Sequence, residues 1–336
     1  MMTTSPDGRM GGAGDLENKA NSARWGLTEL GNIAFRKGKA VGIRNNICSI
    51  LQDVCFGSFH FEVALILRNA LFISSMLANS ESRYGLTEEE ISELEREDEQ
   101  LLRKILEAPS KTPKCMLYLE TGCKPLRYLI KKRQMMFFHY ILKEDKNSLI
   151  RRFFDAQIKN PGRNVWVLTI QKNMQQLDIL VDIDQIEKSS ESQFNTLVEN
   201  AINEKCFEYL LTEKNKKNKV KHIEYSSHRL QKYLQPGELN VHEGRKIFLL
   251  RTRMMETKDN YQNRFSDDLC PLCLKDGIRD SQEHLIQCQS IEHQSLLKVK
   301  VKYDDLFSND VSKQKEITSI IFENFKKRKE MLKQKE

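Results

Sequence analysis

The sequence lacks the features that several classes of protein require. Its longest apolar run, Val63 to Leu77, is interrupted by Arg68 and Asn69, and it is therefore a poor membrane span. Residues 1–21 have no apolar core, so they do not form a secretory signal, and we expect them to be disordered. Alternating strand patterns are almost absent, and neither an internal repeat nor a glycine-rich phosphate loop is evident. These absences favour a mostly α-helical protein.

The cysteines do not form a disulfide framework. The chain has 8 cysteines, and three of them belong to a metal motif. The others have no paired spacing, which indicates a reducing compartment. We therefore expect an intracellular protein, in the nucleus or the cytoplasm. These five are Cys48, Cys55, Cys115, Cys123 and Cys206.

One cluster has the spacing of metal ligands. Cys270, Cys273, His284 and Cys288 read Cys-x2-Cys-x10-His-x3-Cys. Three thiolates and one imidazole complete a tetrahedral zinc site and leave no open position, which predicts one structural Zn²⁺ rather than a catalytic one. The alternatives are that three cysteines lie near a histidine by chance, or that His293 replaces one ligand.

The residues around this motif support the assignment. Pro271 stiffens the Cys-x-x-Cys turn, and Gly277 lies where the connecting loop must reverse. Ser281 is expected to cap a helix that places His284 and Cys288, four residues apart, on one face.

Capping boxes predict three helices, which begin after Thr87, Ser190 and Asn240. The helix after Thr87 carries a run of acidic residues. This run is either a metal cluster or a solvated face, and we expect the solvated face. The apolar helix from Phe61 to Ala78 and the side chain of Trp166 are expected in the core, whereas Val181 to Glu187 is expected to be a short connector.

The chain carries a modest positive charge, +7 in total, and its most basic run lies between Lys214 and His222. Such a run is either a solvated loop or a contact for backbone phosphates. Arg251 could instead point at an internal carboxylate. The candidate nucleic-acid contacts are Lys214, Lys216, Lys217, Lys219, Lys221, Arg245, Arg251 and Arg253.

Several stretches of the chain form an ordered series: 67–75, 101–113, 116–122, 138–142, 248–254 and the metal motif. Together, in this order, they resemble the C-terminal part of a non-LTR retrotransposon reverse transcriptase of the Dong-like type. The resemblance implies a helical thumb that follows a polymerase palm, then a linker that ends in a zinc knuckle. It also implies RNA or DNA as partner.

The resemblance implies a mostly α fold in which a thumb-like helical bundle precedes a helical linker and a small CCHC zinc knuckle. The expected divisions are residues 1–24 (disordered), 25–190 (thumb-like bundle), 191–262 (linker with the basic loop), 263–295 (knuckle) and 296–336 (basic amphipathic helix).

The departure from the family concerns catalysis. A palm needs paired aspartates that hold two magnesium ions, and the only similar run, Tyr303-Asp304-Asp305, lies after the metal motif. We therefore expect a truncated fragment that binds RNA or DNA with little sequence preference and does not polymerise alone. The rival hypothesis is a retroelement-derived zinc-knuckle adapter that binds a protein. No membrane partner is expected, and the sequence does not indicate an oligomeric state.

Overall fold

A computed structural model describes most of the chain, and it is mostly helical. No strand occurs among the described residues, where pairing is limited to the isolated bridges Thr121–Leu230 and Leu269–Arg279. The expected fold class is therefore confirmed as mostly α. The described residues are 36–52, 61–83, 86–160, 165–237, 239–265, 267–288 and 302–333.

The helices are labelled in chain order. Those before residue 160 are α1 (36–52), α2 (Phe61–Leu67, continued by a π-helical turn Arg68–Ile73 and by Ser74–Met76), α3 (Glu88–Leu106), α4 (Lys114–Thr121), α5 (Leu126–Lys143) and α6 (Leu149–Lys159). Those after it are α7 (Val165–Gln176), α8 (Ile183–Lys188), α9 (Glu191–Asn215), α10 (Val241–Arg251), α11 (Gln282–Gln287) and α12 (Val311–Lys333). Short 3-10 turns span Lys232–Leu234, Gln262–Arg264 and Tyr303–Phe307.

Local capping chemistry determines where several helices begin. The side chains of Thr87, Ser190 and Asn240 each accept the backbone N–H three residues later, and the side chain at that later position accepts the backbone N–H of the capping residue. These are complete capping boxes, so the three predicted helix starts are confirmed. In contrast, the expected connector at Val181 to Glu187 is wrong, because Asp182 caps the helix α8 within it.

The short helix α4 lies at the centre of the bundle. Its residues from Cys115 to Thr121 are all buried, and it packs against α3 and α9. Gly122 ends the helix with φ +67°, and a Cβ at that position would lie 2.5 Å from the backbone of Arg229. Only glycine allows the chain after α9 to approach so closely.

A buried ionic network attaches α4 to later parts of the chain. The Glu120 carboxylate is fully buried and accepts hydrogen bonds from Arg251 Nε at 3.0 and 3.2 Å. The Tyr233 hydroxyl donates to it at 2.8 Å, and the Tyr225 hydroxyl donates as well. Arg251 Nη1 donates to the Leu306 carbonyl at 3.0 Å, so the network extends to the turn before α12. Burial and the Glu120 charge raise the pKa of both tyrosines well above the usual value, which keeps them as donors.

The acidic face of α3 is not solvated, and that expectation is wrong. Three of its carboxylates are buried because arginines from α1, α2 and α5 reach them, and a charge leaves water only when it is paired. The pairs are Arg44–Glu97 at 2.7 Å, Arg68–Asp98 at 2.6 Å and Arg127–Glu95 at 2.8 Å.

Burial in the first half of the chain follows the apolar pattern only in part. Trp166 is 7% exposed and donates its indole N–H to the Glu81 carbonyl at 3.1 Å, as expected of a core residue. However, α2 is not buried on all sides, since Val63, Ile66 and Leu71 are 44%, 57% and 42% exposed. The described helices cover only its opposite side.

The expected divisions of the chain stay predictions. The first of them, residues 1–24, lies outside the described residues. The boundary expected at residue 190 separates the thumb-like bundle from the linker. Helix α9, which begins directly after it, packs against α4 and α5 and shares one apolar core with them.

We predict that Glu120→Ala lowers the free energy of unfolding by about 3–5 kcal/mol, because it leaves the buried Arg251 guanidinium without its partner. Glu213→Ala is the matched control. It removes a carboxylate whose partner, Lys216, is 62% exposed, and it should cost about 1 kcal/mol or less. Urea denaturation of the variants gives both values, and equal losses would show that the Glu120 network does not stabilise the fold. Should Glu120→Ala not fold, Glu120→Gln must still be less stable than Glu213→Gln.

Candidate metal centre and basic surface

The structure brings the four predicted metal ligands together. One ligand atom each from Cys270, Cys273, His284 and Cys288 lies within 4.8 Å of all the others. The Cys270 and Cys288 sulfurs are 3.9 Å apart, and Cys273 Sγ is 3.5 Å from His284 Nε2. A tetrahedral ion with metal–sulfur bonds of about 2.3 Å and a metal–nitrogen bond of about 2.0 Å separates its ligands by about 3.5–3.8 Å. The cluster therefore fits a four-coordinate metal ion.

A tight turn places the first two cysteines. The Cys270 N–H donates to the Ile278 carbonyl at 2.9 Å, and this bond closes the loop from Cys270 to Ile278. Inside that loop, Gly277 has φ +75°, a conformation that favours glycine, and the reversal expected there is confirmed. The backbone N–H groups of Leu272 and Cys273 donate to the Cys270 sulfur. Such bonds favour its thiolate form, which is the form that binds a metal.

The short helix α11 supplies the other two ligands. Ser281 caps it, because its hydroxyl accepts the His284 N–H at 3.1 Å, as the sequence predicts. His284 therefore lies in the first turn, and Cys288 lies at the C-cap, one turn further along. This spacing directs both side chains to the same side of the helix.

Burial shifts the pKa of two of the ligands, Cys270 and His284. Burial raises the pKa of Cys270 to about 12, and the Cys288 sulfur beside it adds to the effect. Burial lowers the pKa of His284, so its imidazole is neutral near neutral pH and its ring nitrogen is available as a ligand. Metal binding must displace the thiol protons, and affinity for the metal therefore falls as the pH falls.

We call the segment from Cys270 to Cys288, which carries the four ligands, the metal module. The C-terminal helix fixes this module to the rest of the chain. Asp280 is fully buried and pairs with Arg328 of α12, whose Nε lies 2.9 and 2.7 Å from the two carboxylate oxygens. The Lys258 N–H also donates to Asp280, at 2.8 Å, and Asn324 donates to the Leu285 carbonyl at 2.5 Å. The module is thus held between α12 and the segment after α10.

Three of the predicted nucleic-acid contacts have internal partners. Lys214 is buried within the last turn of α9 and donates to the Lys221 and Ile223 carbonyls. Arg245 donates to the Ile105 carbonyl at 3.1 and 3.0 Å. Arg251 binds Glu120, so the alternative of an internal carboxylate is confirmed for this residue. Lys214 and Arg251 are buried, whereas Arg245 is only partly buried. Whether any of the three binds nucleic acid stays a prediction.

The other predicted contacts are at least partly exposed. Lys216 pairs with Glu213 at 2.7 Å, and Arg253 pairs with Glu283. Among the described residues, Lys217 and Lys221 are exposed and form no salt bridge. Whether any of these residues binds nucleic acid stays a prediction.

Lys219 belongs to a basic cluster that the sequence pattern does not reveal. The Nζ atoms of Lys219 and Lys111 lie 5.8 and 5.5 Å from the centre of the Tyr261 ring, and the Arg264 guanidinium lies 4.9 Å from it. Burial lowers the pKa of Lys219, and the charge of Lys111 adds to the effect. We call these four residues the Tyr261 cluster. They come from three separate parts of the chain, so no local motif announces them.

The run Tyr303-Asp304-Asp305 belongs to a 3-10 turn. Among the described residues, the Cys/His cluster is the one group with metal-binding geometry. Asp305 instead caps its own 3-10 turn, since its carboxylate accepts the Lys302 N–H at 3.1 Å. The Tyr303 hydroxyl accepts a hydrogen bond from Gln282 at 3.1 Å. His293, the alternative metal ligand, lies outside the described residues.

Comparisons with known proteins identify no family. No family model matches this chain, and neither a curated protein nor a solved structure is significantly similar to it. Among the described helices, none has the length and apolar character needed to cross a membrane.

We predict that the purified protein contains one metal ion per chain and that Cys273→Ser reduces this content, because serine supplies no soft thiolate. Cys48→Ser is the matched control, since Cys48 lies in α1 outside the cluster. Mass spectrometry of the protein-bound metal measures both contents. A metal-free wild type, or a Cys273→Ser variant with full metal content, would contradict the assignment.

Proposed function

We propose that this chain is a zinc-organised helical module that binds the phosphate backbone of RNA or DNA. We further propose that it corresponds to the thumb, linker and zinc knuckle of a non-LTR retrotransposon reverse transcriptase. The observation that carries the proposal is the three-cysteine, one-histidine cluster, which folds the segment beside the Tyr261 cluster. The family assignment rests on the ordered stretches of sequence that end in this motif.

Zinc is the metal that suits this ligand set best. Three sulfurs and one imidazole nitrogen at tetrahedral separations favour zinc over the hard cations, which take oxygen ligands. Four protein ligands leave no position for a catalytic water, so the zinc is structural. Its binding free energy then contributes directly to the folding of the module.

The metal module positions the Tyr261 cluster through backbone and side-chain amide hydrogen bonds. The Asp259 N–H donates to the Asp280 carbonyl at 3.2 Å, and the Asn260 amide donates to Gln282 at 2.9 Å. Tyr261 follows these two residues directly. Folding of the module around zinc therefore determines where the Tyr261 ring and Arg264 lie relative to the rest of the chain.

The Tyr261 cluster has the chemistry of a polyanion contact. Lys111, Lys219 and Arg264 converge on one ring. Among the described residues only Arg264 forms a salt bridge, with the partly exposed Glu256 at 2.6 Å, and Lys219 Nζ donates to the Asn260 carbonyl at 2.6 Å. Cations brought together in this way repel one another, and a phosphate backbone relieves the repulsion and releases counterions. Contacts of this kind respond to charge and shape rather than to base sequence.

A second candidate function is that of a protein adapter. Its support is the exposed apolar side of α2, where Val63, Ile66 and Leu71 lie at the surface of the described structure. A protein partner could cover this side, and that association would depend weakly on salt. Salt dependence therefore separates the two functions.

We predict that binding to a duplex or to structured RNA weakens steeply as salt rises. The triple variant Lys111→Ala/Lys219→Ala/Arg264→Ala should reduce the slope of log affinity against log salt by about 2–3, since each lost phosphate contact contributes about 0.7–0.9. Fluorescence anisotropy at several salt concentrations and on unrelated sequences measures the slope. The loss should be similar for all sequences.

The control removes the same charge elsewhere. Lys39→Ala/Lys143→Ala/Lys188→Ala deletes three exposed lysines from α1, α5 and α8, and it should change the slope by less than 1. An equal change of slope in the two triple variants would show that the effect comes from net charge alone and not from the Tyr261 cluster. A binding affinity that does not vary with salt would support the adapter function instead.

A further inference from the structure

A second basic site lies in a cleft between α3, α5, α7 and α9, and none of its lining residues belongs to the metal cluster or to the Tyr261 cluster. The cleft has a volume of about 360 Å³, which is within the range of small-molecule sites. Its cationic side is formed by Arg127, Lys131 and Lys172, and partly buried apolar side chains, Leu86 and Ile91, form another side.

The positive charge in this cleft is only partly neutralised. Glu95 holds the Arg127 guanidinium with bonds of 2.9 and 2.8 Å and thereby neutralises it. The other two cations are Lys131 and Lys172. The cleft has one further carboxylate in its lining, that of Glu88, which is 72% exposed and lies 3.3 Å from Arg127. Among the described residues, neither Lys131 nor Lys172 forms a salt bridge. Burial lowers the pKa of Lys131, and the charges of Arg127 and Lys172 add to the effect against the opposing influence of Glu88.

The side of the cleft is rigid where α5 meets α7. Gln134 and Asn173 are 3% and 5% exposed, and the Asn173 amide donates to the Gln134 side-chain oxygen at 2.8 Å. Gln134 in turn donates to the Arg83 carbonyl at 2.9 Å. Both amides line the cleft. Polar side chains buried in this way are fixed by their bonds, so they present a preorganised surface to a ligand.

We propose that this cleft binds a small organic phosphate. Lys131 and Lys172 hold the phosphoryl group, and the organic part packs against Leu86 and Ile91 beside the Gln134–Asn173 pair. A phosphoryl group provides the negative charge that the two ammonium groups lack, and the apolar side gives the rest of the ligand a surface to bury. The site is separate from the Tyr261 cluster and does not depend on the proposed nucleic-acid function.

Calorimetric titration with ADP at low salt tests this inference. We expect saturable binding at one site, and Lys131→Ala/Lys172→Ala should weaken it at least about tenfold, because the variant removes both charged hydrogen-bond donors to the phosphoryl group. Pyrophosphate should bind through the same lysines, whereas adenosine should bind more weakly than ADP. Circular dichroism and metal content establish that the variant is folded.

The control variant Lys143→Ala/Lys188→Ala removes two exposed lysines of α5 and α8 and should bind ADP as the wild type does. The triple variant of the Tyr261 cluster should also bind ADP with the affinity of the wild type, even if its affinity for RNA is lost. Absence of saturable ADP binding overturns the proposal. An equal loss of ADP affinity in the control variant also overturns it, and so does adenosine binding that is as tight as ADP binding. If the Lys131/Lys172 variant loses RNA affinity while ADP does not bind, the cleft is part of a polynucleotide surface and the proposal is wrong.

Discussion

The buried carboxylate of Glu120 is the constraint on which the arrangement of the described helices depends. A charge with no exposure to water costs several kcal/mol unless every partner is in place. Its partners come from distant parts of the chain: Tyr225 and Tyr233 follow α9, and Arg251 ends α10. Arg251 also donates to the Leu306 carbonyl, so the position of α4 determines where α10 and the turn before α12 can lie.

The metal module is held by the same kind of interaction. Asp280, which lies between Cys273 and His284 in the sequence, is fully buried and pairs with the Arg328 guanidinium of α12. The segment before Tyr261 is bonded to Asp280, since the Lys258 N–H donates to its carboxylate and the Asp259 N–H to its carbonyl. The proposed metal ion and the buried Asp280–Arg328 pair would together fix the position of the Tyr261 cluster. This dependence connects the chemistry of the cluster with the proposed binding of nucleic acid.

Features that are local in sequence could be predicted, and features that depend on distant partners could not. The sequence predicts the Cys/His cluster and the helix caps at Thr87 and Ser281 because the residues of each lie within one short stretch of the chain. The buried acids of α3 were misjudged because an acidic helix face has the same pattern whether water or arginine covers it. Lys214 looked like part of a basic loop, yet it ends α9 and caps carbonyls of the following turn. Nor does any periodicity indicate that Lys111 and Lys219 meet at the Tyr261 ring.

The most direct test of the account is the affinity for RNA with and without the metal, measured together with hydrogen exchange. The account predicts that chelation weakens RNA binding, that added zinc restores it, and that amide protection of α4 and α5 is unchanged. These results would show that zinc organises the binding surface without holding the helical bundle together. Equal RNA affinity of the metal-free and zinc-loaded protein would contradict the central claim.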